Sequence, residues 1–463
     1  MHLFRIPLLF CLFSLLHATY AEDPIKLITV ENLVEFSTDR GQNWTKAETG
    51  DRLDYGFRVR TGEFSRATLR YPSGNVIRLG EFSRITLAET RGSENNGDKP
   101  FSVELKEGAL YFLSRKKENE ADVVTPTVNA AIRGTEFEIR VLPDQSTEIS
   151  LFEGEVDLSN STGQLRLQSG ERARTVRNAA PQRLPALEAS SYMQWYLYYP
   201  GILDTRGLRL HSAYQTALDA YDRGDLLAAL EQLPPAGAAP TSEAHRLFEA
   251  AVILASGQID AALARVDPTQ DTRAAALKEL VAAVKGDLWQ APGEPAHATG
   301  WMARSYSRQA QGDLSGARAA VQRAVDLSPE FGYAWARLAR LHFSFGNIPK
   351  MRRALEQALA HSPSNPEAYV LKGFEHAASG QTLPAAEAFA RAIELAPNYP
   401  EAWLGQGLIG FNRGEEEAAL QDLIAAAILL PNSSILRSYL AKGFAENQDV
   451  PLPWQSQPVD PLP

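Results

Sequence analysis

Four prolines stand 34 residues apart: Pro329, Pro363, Pro397 and Pro431. Trp301, Trp335, Tyr369 and Trp403 keep the same step, as do Gly312, Gly346, Gly380 and Gly414, and again Ala324, Ala358, Ala392 and Ala426. Residue types in register at one spacing define a repeated unit, and around them the residue pattern is helical. Glycine lets two helices turn back on each other, alanine lets them approach closely, and proline ends the unit. One such hairpin cannot bury its apolar stripe alone, so neighbours must stack into a curved solenoid. Four clear units span about residues 298–431.

Earlier helices read as degenerate copies. Tyr214 to Tyr221 leads to Gly224-Asp225 and then Ala228-Ala229-Leu230, and His245 to Ala255 leads to Gly257-Gln258 and then Ala261-Ala262-Leu263. A third helix, from about Arg273 to Val284, has no evident partner, and Pro292-Gly293-Glu294-Pro295 reads as a break. The expected division is an irregular helical region over 179–295, an array with a closing helix over 298–446, and a Pro-rich extended tail over 447–463.

The first half follows a different period. From 24 to 178 the apolar residues recur mostly at every second position, with Gly-bearing breaks about every ten residues, as in Arg66 to Tyr71 followed by Pro72-Ser73-Gly74-Asn75. Phe137, Ile139 and Val141 share one face while Glu136, Glu138 and Arg140 share the other. Many short strands without helices predict an all-β sandwich, barrel or solenoid. This stretch carries 22 basic and 24 acidic residues, so its outward faces are expected to be charge-mixed and solvated. Ahead of it, one basic residue, the run Leu8 to Leu16 and Thr19-Tyr20-Ala21 read as a secretory signal peptide over 1–21, cut near Ala21. The single cysteine, Cys11, lies in that segment, which leaves the mature chain without a disulfide, a cysteine–zinc site or a thiol nucleophile.

Two families are recognisable in these residues. Phe101-Ser102-Val103-Glu104-Leu105-Lys106-Glu107-Gly108-Ala109-Leu110, Val124 to Phe137 with its Arg133-Gly134-Thr135-Glu136-Phe137 stretch between two strands, and Thr147 to Val156 resemble the FecR domain, over roughly 50–175. The resemblance implies an extracytoplasmic all-β domain. Its best-known members are regulators that couple outer-membrane receptors to a cytoplasmic sigma factor. They carry a cytoplasmic helical segment and a membrane span before the domain, where this chain has only the signal peptide. The fold is therefore expected to carry over and the regulator mechanism is not; Arg133-Gly134-Thr135 is read as structural. The 34-residue unit resembles the tetratricopeptide repeat. The expected architecture is multidomain: an N-terminal all-β FecR-like domain, then an all-α tetratricopeptide superhelix.

In such an array the first helix of each unit lines a concave groove. On the register above, the residues facing it are Tyr306, Gln309, Tyr333, Arg340, Phe343, Glu367, Phe374, Glu401, Leu408, Phe411 and Asn412. Aromatics there suit a peptide segment or a partner helix. A carboxylate-clamping mode is disfavoured, because the face offers one Arg and one Asn against two Glu. Residues 179–463 carry 23 basic against 30 acidic side chains, which favours a neutral or basic partner. The whole-chain net charge of −10 argues against nucleic acid. No nucleophile elbow, phosphate loop or His-Glu-x-x-His appears, so neither an enzyme nor a cofactor or metal is expected; His342 and His376, 34 apart, are read as packing residues. The function expected is that of an exported, periplasmic-type envelope scaffold. Its β domain would dock to a cell-wall or outer-membrane component. The alternatives are a periplasmic signalling component coupled to an outer-membrane receptor and a cell-wall glycan-binding protein.

Overall fold

The structure is a computed structural model and describes residues 24–88, 101–113, 120–185, 199–235, 242–255, 257–267, 271–431, 433 and 436–440. The expected signal segment 1–21 and the tail 447–463 lie outside the described residues.

Among the described residues the alternating half forms fifteen strands. The first eight are short: β1 (Ile25–Glu31), β2 (Val34–Ser37), β3 (Thr45–Lys46), β4 (Arg52–Leu53), β5 (Arg58–Thr61), β6 (Arg66–Arg70), β7 (Val76–Leu79) and β8 (Arg84–Leu87). Long strands follow, β9 (Phe101–Leu113), β10 (Glu120–Val124), β11 (Asn129–Val141) and β12 (Thr147–Asn160), and then β13 (Gly163–Gln168), β14 (Arg172–Thr175) and β15 (Gln182–Leu184). All fifteen belong to one hydrogen-bonded network, antiparallel throughout except for the parallel pair β9–β10. Its apolar side chains, from Ile25 to Ala173, meet in one core. The β region reaches Leu184, beyond the expected boundary at 178, because β15 pairs with β14. The Arg-Gly-Thr-Glu-Phe stretch is not between strands: it lies inside β11, where Gly134 faces Gly154, Glu136 faces Glu153 and Phe137 faces Leu151, a bulge that re-aims the side chains after it.

The helical half begins with α1 (Gln215–Asp222) and α2 (Leu226–Glu231), then α3 (Glu243–Ala255) and α4 (Ile259–Val266), the two degenerate hairpins. Next, α5 (Thr272–Lys285) packs on α6 (Ala298–Ala310), so the third helix does have a partner. The array continues through α7 (Leu314–Leu327), α8 (Gly332–Ser344), α9 (Ile348–His361), α10 (Pro366–Ala378), α11 (Thr382–Leu395), α12 (Pro400–Asn412) and α13 (Glu416–Leu429). First helices start at 298, 332, 366 and 400, and second helices at 314, 348, 382 and 416, so the 34-residue step holds at every boundary. Between them Gly312, Gly346, Gly380 and Gly414 take left-handed φ of +68° to +78°, which few other residues tolerate. Of the closing helix, residues 436–440 are described and helical.

The repeated aromatic has a definite task. The indole N–H of Trp335 donates to the carbonyl of Pro329 at 2.7 Å, that of Trp403 to Pro397 at 2.7 Å, and the Tyr369 hydroxyl to Pro363 at 3.1 Å. Each satisfies the carbonyl at the hand-over between hairpins. Arg437 occupies the same slot one step on, and its Nε donates to Pro431 at 2.5 Å.

The two halves pack together. Ile28, Val76, Tyr111 and Leu113 of the sheet share a core with Trp403, Leu404, the α13 face around Leu423 and Ile428, and Leu436 and Leu440. The charged face of β1, β6 and β7 is therefore buried rather than solvated: Glu31, Arg66 and Arg78 are each at most 1% exposed. Arg66 Nε and Arg78 Nη2 donate to the two Glu31 carboxylate oxygens at 2.7 and 2.9 Å, and Asn398, between α11 and α12, donates to Glu31 at 3.2 Å. Arg66 also donates to the carbonyl of Ala255 at the end of α3. On β11, Glu136 and Glu138 of the expected polar face are buried too.

Candidate protein-interaction face

All eleven expected groove residues lie on the first helices: Tyr306 and Gln309 on α6, Tyr333, Arg340 and Phe343 on α8, Glu367 and Phe374 on α10, and Glu401, Leu408, Phe411 and Asn412 on α12. Their surroundings divide them into three groups.

Tyr333 is not open to a ligand. It is 7% exposed, its ring packs on Tyr221 with centroids 5.2 Å apart, and its hydroxyl donates to the Tyr221 carbonyl at 2.9 Å. The segment before and within α1 closes this end of the face. Gly201 lies so near that a Cβ there would sit 2.7 Å from the Tyr333 ring, and Ser362 donates to the Asp222 carbonyl at 2.7 Å.

The centre is a self-paired polar network. Arg337, fully buried, sits 4.0 Å over the Tyr306 ring and donates to Ser305 Oγ at 3.1 Å and to Gln309 at 2.6 Å. Burial lowers its pKa, and burial raises that of Tyr306. Arg340 donates to the Glu367 carboxylate and, at 2.7 Å, to the Tyr399 hydroxyl, with Glu401 3.7 Å away. Burial alone would lower the Arg340 pKa, but Tyr399, Glu367 and Glu401 outweigh it and hold the guanidinium charged. The one Arg and two Glu on this face thus answer each other.

Beyond the network runs an apolar strip of half-buried residues. Phe343 stacks on Phe374 with centroids 6.4 Å apart, and Phe374, Leu408 and Phe411 pack at the edge of one cluster. Asn412 is exposed at its end, and Gln309 is exposed on α6. His342 is buried in α8, and the His376 ring nitrogen Nδ1 lies 2.6 Å from Gln381, neither beside a third ligand; among the described residues no group of three metal-ligating side chains is present.

Comparison with protein families matches residues 57–157 to the family described as FecR protein, and residues 309–373 and 375–434 to two tetratricopeptide-repeat families. The chain carries a FecR domain followed by tetratricopeptide repeats. No curated protein sequence matches it. Among solved structures it is similar to the APC/C hetero-tetramer Cut9–Hcn1, at 18% identity and a TM-score of 0.37 over 44% of this chain and 43% of that one. The chain spans less than half the length of that relative. A thermophilic TPR protein of Thermus thermophilus aligns at 18% identity and a TM-score of 0.30 over 44% of this chain and 99% of its own. A putative anti-sigma factor from Parabacteroides distasonis aligns at 18% and 0.25 over 31% and 68%.

Within the FecR domain, the sequence reading missed Glu136. Its carboxylate accepts the Tyr111 hydroxyl at 2.5 Å and two nitrogens of Arg437 at 2.7 and 2.8 Å, a bidentate pair joining residues 301 apart in the chain. That hydrogen bonding holds the Arg437 guanidinium above its ordinary pKa. The signal was present: Arg437 stands where the tetratricopeptide step calls for an aromatic. A second missed signal is a duplication inside the FecR domain, Gly-Glu-Phe-Ser-Arg at 62–66 and again at 80–84.

Among the described residues no helix is long and apolar enough to cross a membrane.

Proposed function

We propose that this protein is an exported scaffold whose tetratricopeptide face recruits a segment of a protein partner. The observation that supports it is the strip of Phe343, Phe374, Leu408 and Phe411, which keeps part of its apolar surface open while the charged residues beside it are paired within the chain. A ligand for such a strip needs apolar anchors and little charge, which favours an amphipathic helix or an extended apolar segment. The task asked of the residues is non-covalent recruitment; export rests on the signal-like segment at the N terminus, and docking of the FecR domain to an envelope component is part of the same reading.

The test is in-cell crosslinking of the full chain, with the captured proteins identified by mass spectrometry, compared with the triple variant Phe343→Ala, Phe374→Ala, Phe411→Ala. A partner captured by the wild type and lost in the triple variant, with the melting temperature of the variant still well above the growth temperature, is the expected result. Capture of the same partners by both proteins would remove the strip from the recruiting surface.

A further inference from the structure

The duplicated Gly-Glu-Phe-Ser-Arg segments supply an internal control. Both phenylalanines have left-handed backbones, Phe64 at φ +53° and Phe82 at φ +49°, a region that bulky L-residues avoid. In the first copy the strain has a counterweight: Phe64 packs against the helical core, and the Arg265 guanidinium of α4 lies 5.7 Å from its ring centre. In the second copy nothing comparable is present. Phe82 is 57% exposed and has no ring or cation partner among the described residues. Strain held at an exposed aromatic marks a position kept for contact with something other than the chain itself.

Phe82 stands at a cleft of about 780 Å³ between the FecR domain and the region α3 to α5, a volume and a location ordinary for ligand sites. The β7–β8 turn forms one wall, with Gly108 of β9 so close that a Cβ there would fall 2.3 Å from the Ser83 Cα. The β11–β12 turn, the α3–α4 turn and the end of α5 complete it. Its charges nearly cancel. Glu107 is bridged by Arg84 at 2.9 Å, and Arg140 by Glu138 at 2.7 Å. Burial raises the pKa of Glu81, which accepts the Phe64 N–H at 3.0 Å. Asp260 and Lys285 oppose each other in sign on the rim. Gln145 and Gln258 line the cleft with side-chain amides that bond to no described residue. The apolar part of the lining, Phe82 with Ala109, Val141, Leu142, Pro143 and Ile259, stands beside these polar groups, and a polyion would find little net charge. A neutral, hydroxyl-rich ligand finds a ring face for its C–H groups and amide donors and acceptors for its hydroxyls.

We infer that this cleft is an oligosaccharide site, with the ring of Phe82 as the stacking platform and Gln145 and Gln258 as hydroxyl partners. The inference is independent of the tetratricopeptide strip.

The test is isothermal titration of the full chain with two neutral probes, chitohexaose and cellohexaose, beside Phe82→Gly and the pair Gln145→Ala, Gln258→Ala. The expected result is binding of at least one hexasaccharide by the wild type, a loss of tenfold or more in Phe82→Gly, and a melting temperature in that variant equal to or above the wild type, since glycine accepts the left-handed backbone. The paired glutamine variant is expected to weaken binding at least threefold. Failure of the wild type to bind either probe at millimolar concentration overturns the inference, as does Phe82→Gly that binds as well as the wild type. A lowered melting temperature in Phe82→Gly also counts against it, by making the ring a packing residue. The Phe343 triple variant is expected to bind both probes like the wild type.

Discussion

Two carboxylates at the boundary between the halves differ in how their burial is compensated. Glu136 has a bidentate arginine and a tyrosine hydroxyl, so its charge is fully answered. Arg437→Met leaves that buried carboxylate with Tyr111 alone and is expected to cost about 2–4 kcal/mol, because removing one partner of a buried pair strands the other. A urea-denaturation cycle with Glu136→Gln measures the coupling, expected at about 1 kcal/mol or more; additive costs would mean that the pair contributes nothing of its own. Asp422 of α13 is the opposite case. Its nearest cation, Arg70 Nη1, is 4.0 Å away, and burial, only partly countered by Arg70, raises its pKa to about 7. The folded state therefore prefers the neutral acid. The stability this brings is complete below the unfolded value of 3.8 and is lost as pH climbs through about 7. Asp422→Asn, neutral at every pH, should melt close to the wild type at about pH 4 and above it at about pH 8, with the gap opening between. A constant gap across that range would mean that Asp422 does not titrate there.

At the scale of elements, the helices were legible and the strands only half so. A 34-residue period is carried by side chains that do local work, the aromatic donating to a carbonyl six residues back, so the spacing located the repeated units over about 298–431. Tyr369→Phe removes one such bond at an exposed hand-over and should cost about 0.5–1 kcal/mol, whereas Trp403→Phe removes a buried one together with apolar area and should cost about 2 kcal/mol or more. Thermal melts of the two variants check the order, and equal effects would mean that these bonds are not what the period preserves. The strands were read correctly as alternating but wrongly as having one wet face. Glu31, Arg66 and Arg78 look like solvated positions in any window of β1, β6 or β7, since the groups that cover them, Asn398, Ala255 and α13, are brought there by tertiary packing. The same limit hid Tyr333 and Arg340, whose partners Tyr221 and Tyr399 come from other elements.

At the scale of the molecule, that shared boundary decides how the chain unfolds. A solenoid needs its last unit capped, and here the sheet covers part of α13 with Ile28, Val76, Tyr111 and Leu113, beside the helical stretch 436–440. The FecR domain in turn has a charged face, Glu31 paired with Arg66 and Arg78, that the helical half buries and to which Asn398 and the Ala255 carbonyl add hydrogen bonds. Each half, taken alone, would expose apolar surface that the other now covers. The two are therefore expected to melt together, as one calorimetric transition whose van't Hoff and calorimetric enthalpies agree. Glu31→Gln sharpens the test, because it leaves Arg66 and Arg78 facing a neutral amide and should cost about 3–5 kcal/mol at the joint. If the halves are coupled, the whole transition moves to lower temperature in one piece. Two resolved peaks in the wild type would instead make the boundary a contact between independently stable domains, and in the variant alone would show that Glu31 is what holds them as one unit.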